Sequence, residues 1–165
     1  MTRKRSILGL AVFLILSLAA GAIGSLWSAP NTQPGAWYYQ IEKPSWTPPA
    51  WLFGPVWTTL YVMMGVAAWL VWKRSGWAEN RGALTLFLIQ LFLNTIWSGL
   101  FFGLRSPGLA LVEIVVLWVS ILLTLLAFWR VSRPAGLLLV PYLLWVSYAT
   151  ALNFSIWRLN STGSV

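Results

Sequence analysis

Five stretches of this chain are predominantly apolar and contain neither lysine nor arginine: 7–27, 51–72, 83–104, 109–129 and 135–157. A helix needs about 20 apolar residues to cross roughly 30 Å of hydrocarbon, and each stretch is long enough. Inside lipid only a helix or a closed barrel satisfies its own backbone polar groups. None of the five shows the period-2 alternation of a membrane barrel. The reading is an all-α membrane protein: a five-transmembrane-helix bundle with a long aromatic first loop, forming one domain over residues 1–165. The charge supports it. Only 8% of residues are charged, against about 25% in a soluble domain.

Lysine and arginine counts in the short connections set the orientation. Arg3, Lys4, Arg5, Lys73, Arg74, Arg81, Arg130 and Arg133 fall on one side, eight in all; Lys43, Arg105 and Arg158 fall on the other. The N-terminus is therefore expected on the cytoplasmic side of a multi-pass integral membrane protein. The same placement accounts for the net charge of +8 without a nucleic-acid partner. The basic start, the apolar run and Ala20-Gly21-Ala22 resemble a secretory signal peptide. The run is longer than a signal core, so it is read as the first span.

The chain has no cysteine and no histidine. Disulfides, thiolate chemistry, Cys/His metal sites and histidine acid/base catalysis are absent together. No catalytic residue is assigned, and no cofactor or metal site is expected.

The 28–50 segment holds five prolines with Trp37, Tyr38, Tyr39 and Trp46. It cannot be one regular helix, and a loop so aromatic is expected to fold over one end of the bundle. Of the 13 tryptophans, Trp27, Trp51, Trp69, Trp72, Trp77, Trp129 and Trp157 stand near span ends, where indoles anchor at headgroup depth. Trp57, Trp97, Trp118 and Trp145 lie deeper, within about 8 Å of the midplane at 1.5 Å per residue. Gln90, Asn94 and Trp97 share a face of the third span; Trp57, Tyr61 and Met64 share one on the second; Trp145, Ala149 and Leu152, with Asn153 close by, share one on the fifth. Polar residues inside spans face the bundle interior or a cavity. Amide and indole groups thus converge at one depth below an aromatic lid. Interhelical hydrogen bonding is the plainer reading of the amides; a binding cavity is the other.

Four further features are ambiguous. Glu113, the lone acid within a span, is a proton or cation site, or snorkels, or pairs with Arg105. Gly99 and Gly103 form a GxxxG that suits a helix contact within the bundle or a dimer face. Pro55 and Pro141 fall within spans, and each removes a backbone donor. The tail from Asn160 to Val165 reads as a frayed end.

Lys43-Pro44-Ser45-Trp46-Thr47-Pro48-Pro49-Ala50-Trp51, continuing Leu52-Phe53-Gly54-Pro55-Val56-Trp57, resembles the signature of the TspO/MBR family. These are the tryptophan-rich sensory proteins and mitochondrial translocator proteins, or peripheral benzodiazepine receptors. Asn94-Thr95-Ile96-Trp97 with Phe101-Phe102-Gly103 agrees, as does Pro141-Tyr142-Leu143-Leu144-Trp145 through Asn153 to Arg158. The resemblance implies a five-helix bundle, often a homodimer, that binds porphyrins such as protoporphyrin IX and hydrophobic aromatic drugs. It places the pocket at Trp57, Asn94, Trp97, Trp145 and Ala149, with Trp37 and Trp46 in the first loop, and a dimer face at Gly99 and Gly103. Tyr61 and Gln90 join the ligand set from the shared-face reading. Leu109 departs from the Trp of animal members. Phe154 stands where the sterol pattern needs Tyr, so no sterol site is assigned. Porphyrin propionates would need cations at the mouth, and Lys43, Arg105 and Arg158 are the ones on that side. Transport of tetrapyrroles and light-dependent porphyrin breakdown are the alternative functions.

Overall fold

The structure, a computed structural model, describes residues 2–161. It is helical almost throughout: α1 (Arg3–Asn31), α2 (Trp37–Gln40), α3 (Phe53–Glu79), α4 (Arg81–Ser98), α5 (Pro107–Val131) and α6 (Arg133–Ser161). A 3-10 turn, Ala50–Leu52, leads into α3, and a π-helical turn, Gly99–Gly103, extends α4. Among the described residues, five helices are long and apolar enough to cross a membrane: all but the single turn α2. The expected spans fall inside these helices and the short turns that extend them, apart from Leu104 at the end of the third. Most of the helices run further than the expected spans because hydropathy registers the hydrocarbon layer only. At 29 residues, α1 is roughly 44 Å long.

The added turns have local causes. Pro30 lies in the last turn of α1, where Asn31 Nδ2 donates to the Trp27 carbonyl (2.9 Å) and Thr32 Oγ1 to that of Ser28 (3.0 Å). These bonds cap carbonyls that the helix end leaves open, so the loop begins at residue 32 rather than 28. Pro55 sits in the first turn of α3 and not in its interior; it forfeits no internal hydrogen bond and imposes no kink there. Near the other end of α3, Gly76 has φ +80°, a conformation that suits glycine alone. Asn80 Nδ2 closes this corner on the carbonyls of Val71 and Gly76 (both 3.1 Å). The expected frayed tail is helical at Asn160 and Ser161; its remainder, 162–165, lies outside the described residues.

α1 packs on α3 and α4, α5 sits between α4 and α6, and α3 closes the ring against α6. Gly65 shows why the first pair can be close: a Cβ there would stand 3.0 Å from the Leu14 Cα and the Phe13 carbonyl oxygen. In lipid, helix association relies on such close backbone approach.

The interior divides in two along the bundle axis. Toward the basic end Ala67, Ala68, Val71, Leu84, Phe87, Ile121 and Phe128 are wholly buried in one apolar cluster. Phe87 touches Phe13 edge-on (6.0 Å between centroids) and stacks on Phe128 (6.2 Å). At this end Lys73 lies over Trp69 (4.7 Å) and Arg5 over Trp72 (5.9 Å), the cation–π pattern of anchored interface indoles. Toward the loop a smaller cluster holds Tyr38, Phe101, Ala110, Leu152 and Ile156.

Two ambiguous residues find their places. The Trp118 indole donates to Ser147 Oγ at 2.7 Å and ties α5 to α6. Glu113 does not snorkel. Both carboxylate oxygens are buried without a hydrogen-bond partner, so the pairing with Arg105 is corrected too.

Candidate ligand cavity

Between the two clusters, with its exposed lining on α1 and α3, lies a cavity of about 570 Å³. That is within the usual range for small-molecule sites, about 300–1,000 Å³. Its floor is a hydrogen-bonded chain. The Tyr61 hydroxyl donates to Asn94 Oδ1. Asn94 Nδ2 donates to the Tyr142 hydroxyl (3.0 Å), which donates to Gln90 Oε1 (2.9 Å); Gln90 Nε2 ends the chain on Met64 Sδ (3.7 Å). Three helices, α3, α4 and α6, each supply part of it. A buried polar group without a partner is costly in lipid, and this chain satisfies four of them at once.

The walls are aromatic. The Trp57 ring lies 5.7 Å from Tyr61 and 6.2 Å from Tyr142. Trp145 stands between Phe53 (6.1 Å) and Tyr148 (5.6 Å). Trp97 stacks on Phe101 at 5.1 Å, and its N–H donates to Asn153 Oδ1 (3.1 Å); Asn153 Nδ2 in turn donates to the Pro107 carbonyl (2.7 Å). Ala149 leaves room beside Trp145 on the same face of α6. The remaining wall is one stripe of α1, with Leu18, Gly21, Ala22, Ser25, Ser28 and Ala29 at helical spacing, continued by Thr32 just past the helix end. Its exposed members, with Trp51, Gly54 and Thr58 beside them, form the open rim; the members from α4 and α6 are buried or half-buried.

The roof is the first loop. Tyr38 points into the cavity from α2, packed among Phe53, Phe101 and Phe102. Its hydroxyl is buried and has no hydrogen-bond partner. Burial, with Tyr148 and Tyr39 adding to it, pushes that hydroxyl up to about 12. Lys43 Nζ donates to the carbonyls of Tyr38 and Ile41 and lies 4.9 Å from the Tyr38 ring. Burial lowers its ammonium below the ordinary lysine value. The loop is strapped to α6 twice. Asn160 pairs with the Glu42 backbone, accepting at 3.1 Å and donating at 2.9 Å. The Tyr148 hydroxyl donates to the Trp46 carbonyl at 3.0 Å.

Six of the nine residues expected at a ligand lie on this cavity: Trp57, Tyr61, Asn94, Trp97, Trp145 and Ala149. Three do not. Gln90 belongs to the hydrogen-bonded chain of the floor but lies one turn below Asn94 and does not line the cavity. Trp37 turns its ring onto Phe101 and Phe102, and Trp46 packs outside on Tyr148. Trp51, read as an interface anchor, also stands on the rim. The α1 stripe and Tyr38 were not singled out by sequence; small residues in a span read as packing, and Tyr38 is one of three consecutive aromatics. Gly99 and Gly103 form a notch filled by Trp27 of the same chain, since a Cβ at 103 would stand 2.9 Å from the Trp27 ring. The three cations expected at the mouth are also elsewhere. Lys43 is committed to carbonyls, Arg105 is exposed in the turn before α5, and Arg158 lies 5.9 Å from the outward Phe154 ring. Among the described residues no charged side chain lines the cavity.

The TspO/MBR family model matches residues 13–158. The tryptophan-rich protein TspO of Chlorobaculum tepidum is 53% identical over 160 residues, covering 95% of this chain and 99% of the relative. Protein CrtK of Rhodobacter capsulatus is 44% identical over 154 residues, 91% of each chain. The human translocator protein is 44% identical over 126 residues, 75% of each.

Proposed function

The chain belongs to the TspO/MBR family, and from that premise we propose that it is a membrane sensor or translocator that binds porphyrins, such as protoporphyrin IX, and related flat aromatic molecules. The observation that carries the reading is the pair of indoles Trp57 and Trp145 on the wall of one aromatic cavity. Indole faces stack on extended π-systems. Trp97, already stacked on Phe101 and bonded to Asn153, holds the wall in shape. Asn94 presents the polar contact at the floor. With no histidine or cysteine in the chain, stacking rather than axial metal ligation would retain a tetrapyrrole.

The test is a fluorescence-quenching titration of the purified protein with protoporphyrin IX. Saturable quenching is expected, weakened about tenfold or more in Trp57→Phe/Trp145→Phe, since aromatic pairs contribute about 0.5–1.5 kcal/mol each beyond burial. Unchanged affinity in the double variant would sink the assignment. The lysine and arginine asymmetry supports an N-terminus on the cytoplasmic side, testable by labelling single cysteines at residues 2 and 45 from outside. A homodimer through α4 would carry Trp27 into its interface, because that ring covers Gly99 and Gly103; cross-linking from Ile96 tests it.

A further inference from the structure

The end of the bundle opposite the cavity gathers most of the charge. Five of its cations come from two neighbouring helix ends. Arg3, Lys4 and Arg5 open α1, and Lys73 and Arg74 lie in the last regular turn of α3 before Gly76. The two ends are held together. The Trp69 indole donates to the Ser6 carbonyl at 2.9 Å, and a Cβ on Gly9 would stand 2.2 Å from the Trp72 ring. The five side chains therefore border one seam. Two of them are engaged, Arg5 over Trp72 and Lys73 over Trp69. Arg3, Lys4 and Arg74 are exposed, and among the described residues no carboxylate pairs with them.

We propose that this seam binds an anionic phospholipid, with Arg3, Lys4 and Arg74 on the headgroup phosphate and the acyl chains along α1. Trp69 and Trp72 mark headgroup depth, so the counter-charge within reach of these cations is a lipid phosphate. Like charges gathered at two packed helix ends repel one another. A bound anion removes that repulsion and adds attraction. Basic pockets between membrane helices hold acidic headgroups for this reason. The chains have a surface of their own. Leu8 and Val12 follow Lys4 at helical spacing, and with Ile7 they are 66%, 46% and 60% exposed. A free phosphate would meet the cations alone; a diacyl lipid meets the cations and this apolar rail. Arg81, Arg130 and Arg133 supply as many cations at the same end, spread over α4, α5 and α6. Among the described residues none of these three lies over an aromatic ring, and they serve as the internal control.

The test uses full-length protein in nanodiscs of mixed phosphatidylcholine and phosphatidylglycerol. The lipids that stay bound after release into detergent are counted by native mass spectrometry. The wild type should retain phosphatidylglycerol over phosphatidylcholine by at least about tenfold, since each cation at the membrane surface contributes roughly fivefold. R3Q/K4Q/R74Q should bring the preference to within about twofold of parity. That variant leaves five cations on this side against three on the other, so the orienting asymmetry persists. R3K/R74K keeps the charge and should keep the preference. R81Q/R130Q/R133Q should stay within about twofold of wild type, because those cations lie off the seam. If the neutral triple variant does not fold, single Lys4→Gln and Arg74→Gln decide, each with an expected loss of about fivefold. A wild type without preference, or a preference that survives loss of the seam cations, overturns the proposal. Equal losses in the two triple variants overturn it in favour of a diffuse charged surface. Displacement of the lipid by an equal concentration of inorganic phosphate overturns the lipid assignment.

Discussion

The two halves of the bundle are made by the same helices and differ in what fills them. Toward the basic end Phe87, Phe128, Leu84 and Ile121 leave no exposed surface, and the interior is mainly apolar. Toward the loop the same helices enclose a cavity of about 570 Å³ walled by indoles, hydroxyls and amides. The boundary is the chain from Tyr61 through Asn94 and Tyr142 to Gln90. Below it, small residues bring α1 and α3 together; above it, bulky aromatics hold the helices apart and a folded loop closes the end. A membrane protein of this size can therefore be stable in one half and receptive in the other, because the filled half carries the packing.

The strongest way to break this contrast is to hollow the filled half. Phe87→Ala should cost about 3–5 kcal/mol of unfolding free energy, read in a denaturation titration. A loss below about 1 kcal/mol would mean that this half is not the packed one. Next in size is the boundary. Tyr142→Phe removes one donor and one acceptor from the floor, which should cost about 1–2 kcal/mol and weaken porphyrin quenching as Asn94 loses its support. Stability lost with affinity intact would detach the floor from the ligand. Asn160→Ala cuts the strap to Glu42, with an expected cost of about 1 kcal/mol. Its signature is faster amide exchange across residues 37–47 with none across 60–72; uniform exchange would show that the loop is not a separate unit. The smallest effect is expected of Trp118→Phe, which gives up its bond to Ser147 for roughly 0.6 kcal/mol and leaves ligand binding as it was.

The spans were readable from the chain because apolar runs report the hydrocarbon layer directly; the filled half was not singled out, since its residues repeat the apolar composition of every span. The floor and two walls were readable as well, since Asn94, Trp57 and Trp145 stand out against apolar neighbours. Gln90 shares their face and still misses the cavity; a difference of one turn in depth decides between a wall and a buried relay. The α1 wall was illegible for a different reason. Gly21, Ala22 and Ser25 are the residue types that membrane helices use to touch one another, so the same letters serve a contact or a gap. In the loop, composition announced a lid. Which of Trp37, Tyr38 and Tyr39 turns inward depends on a single helical turn whose placement comes from contacts distant in sequence, including the strap at Asn160.

The open rim, formed by Ala22 and Ser25 on α1 with Thr58 on α3, belongs to helices that cross the bilayer. A solute that dissolves in hydrocarbon therefore meets this rim at its membrane concentration, which exceeds its aqueous concentration by the partition coefficient. The dissociation constant measured against total ligand then scales with the amount of lipid present. Raising the lipid-to-protein ratio at fixed protein should shift the half-saturation point upward in proportion once most ligand is in the bilayer. Affinities for this protein are comparable between preparations only when expressed per volume of membrane.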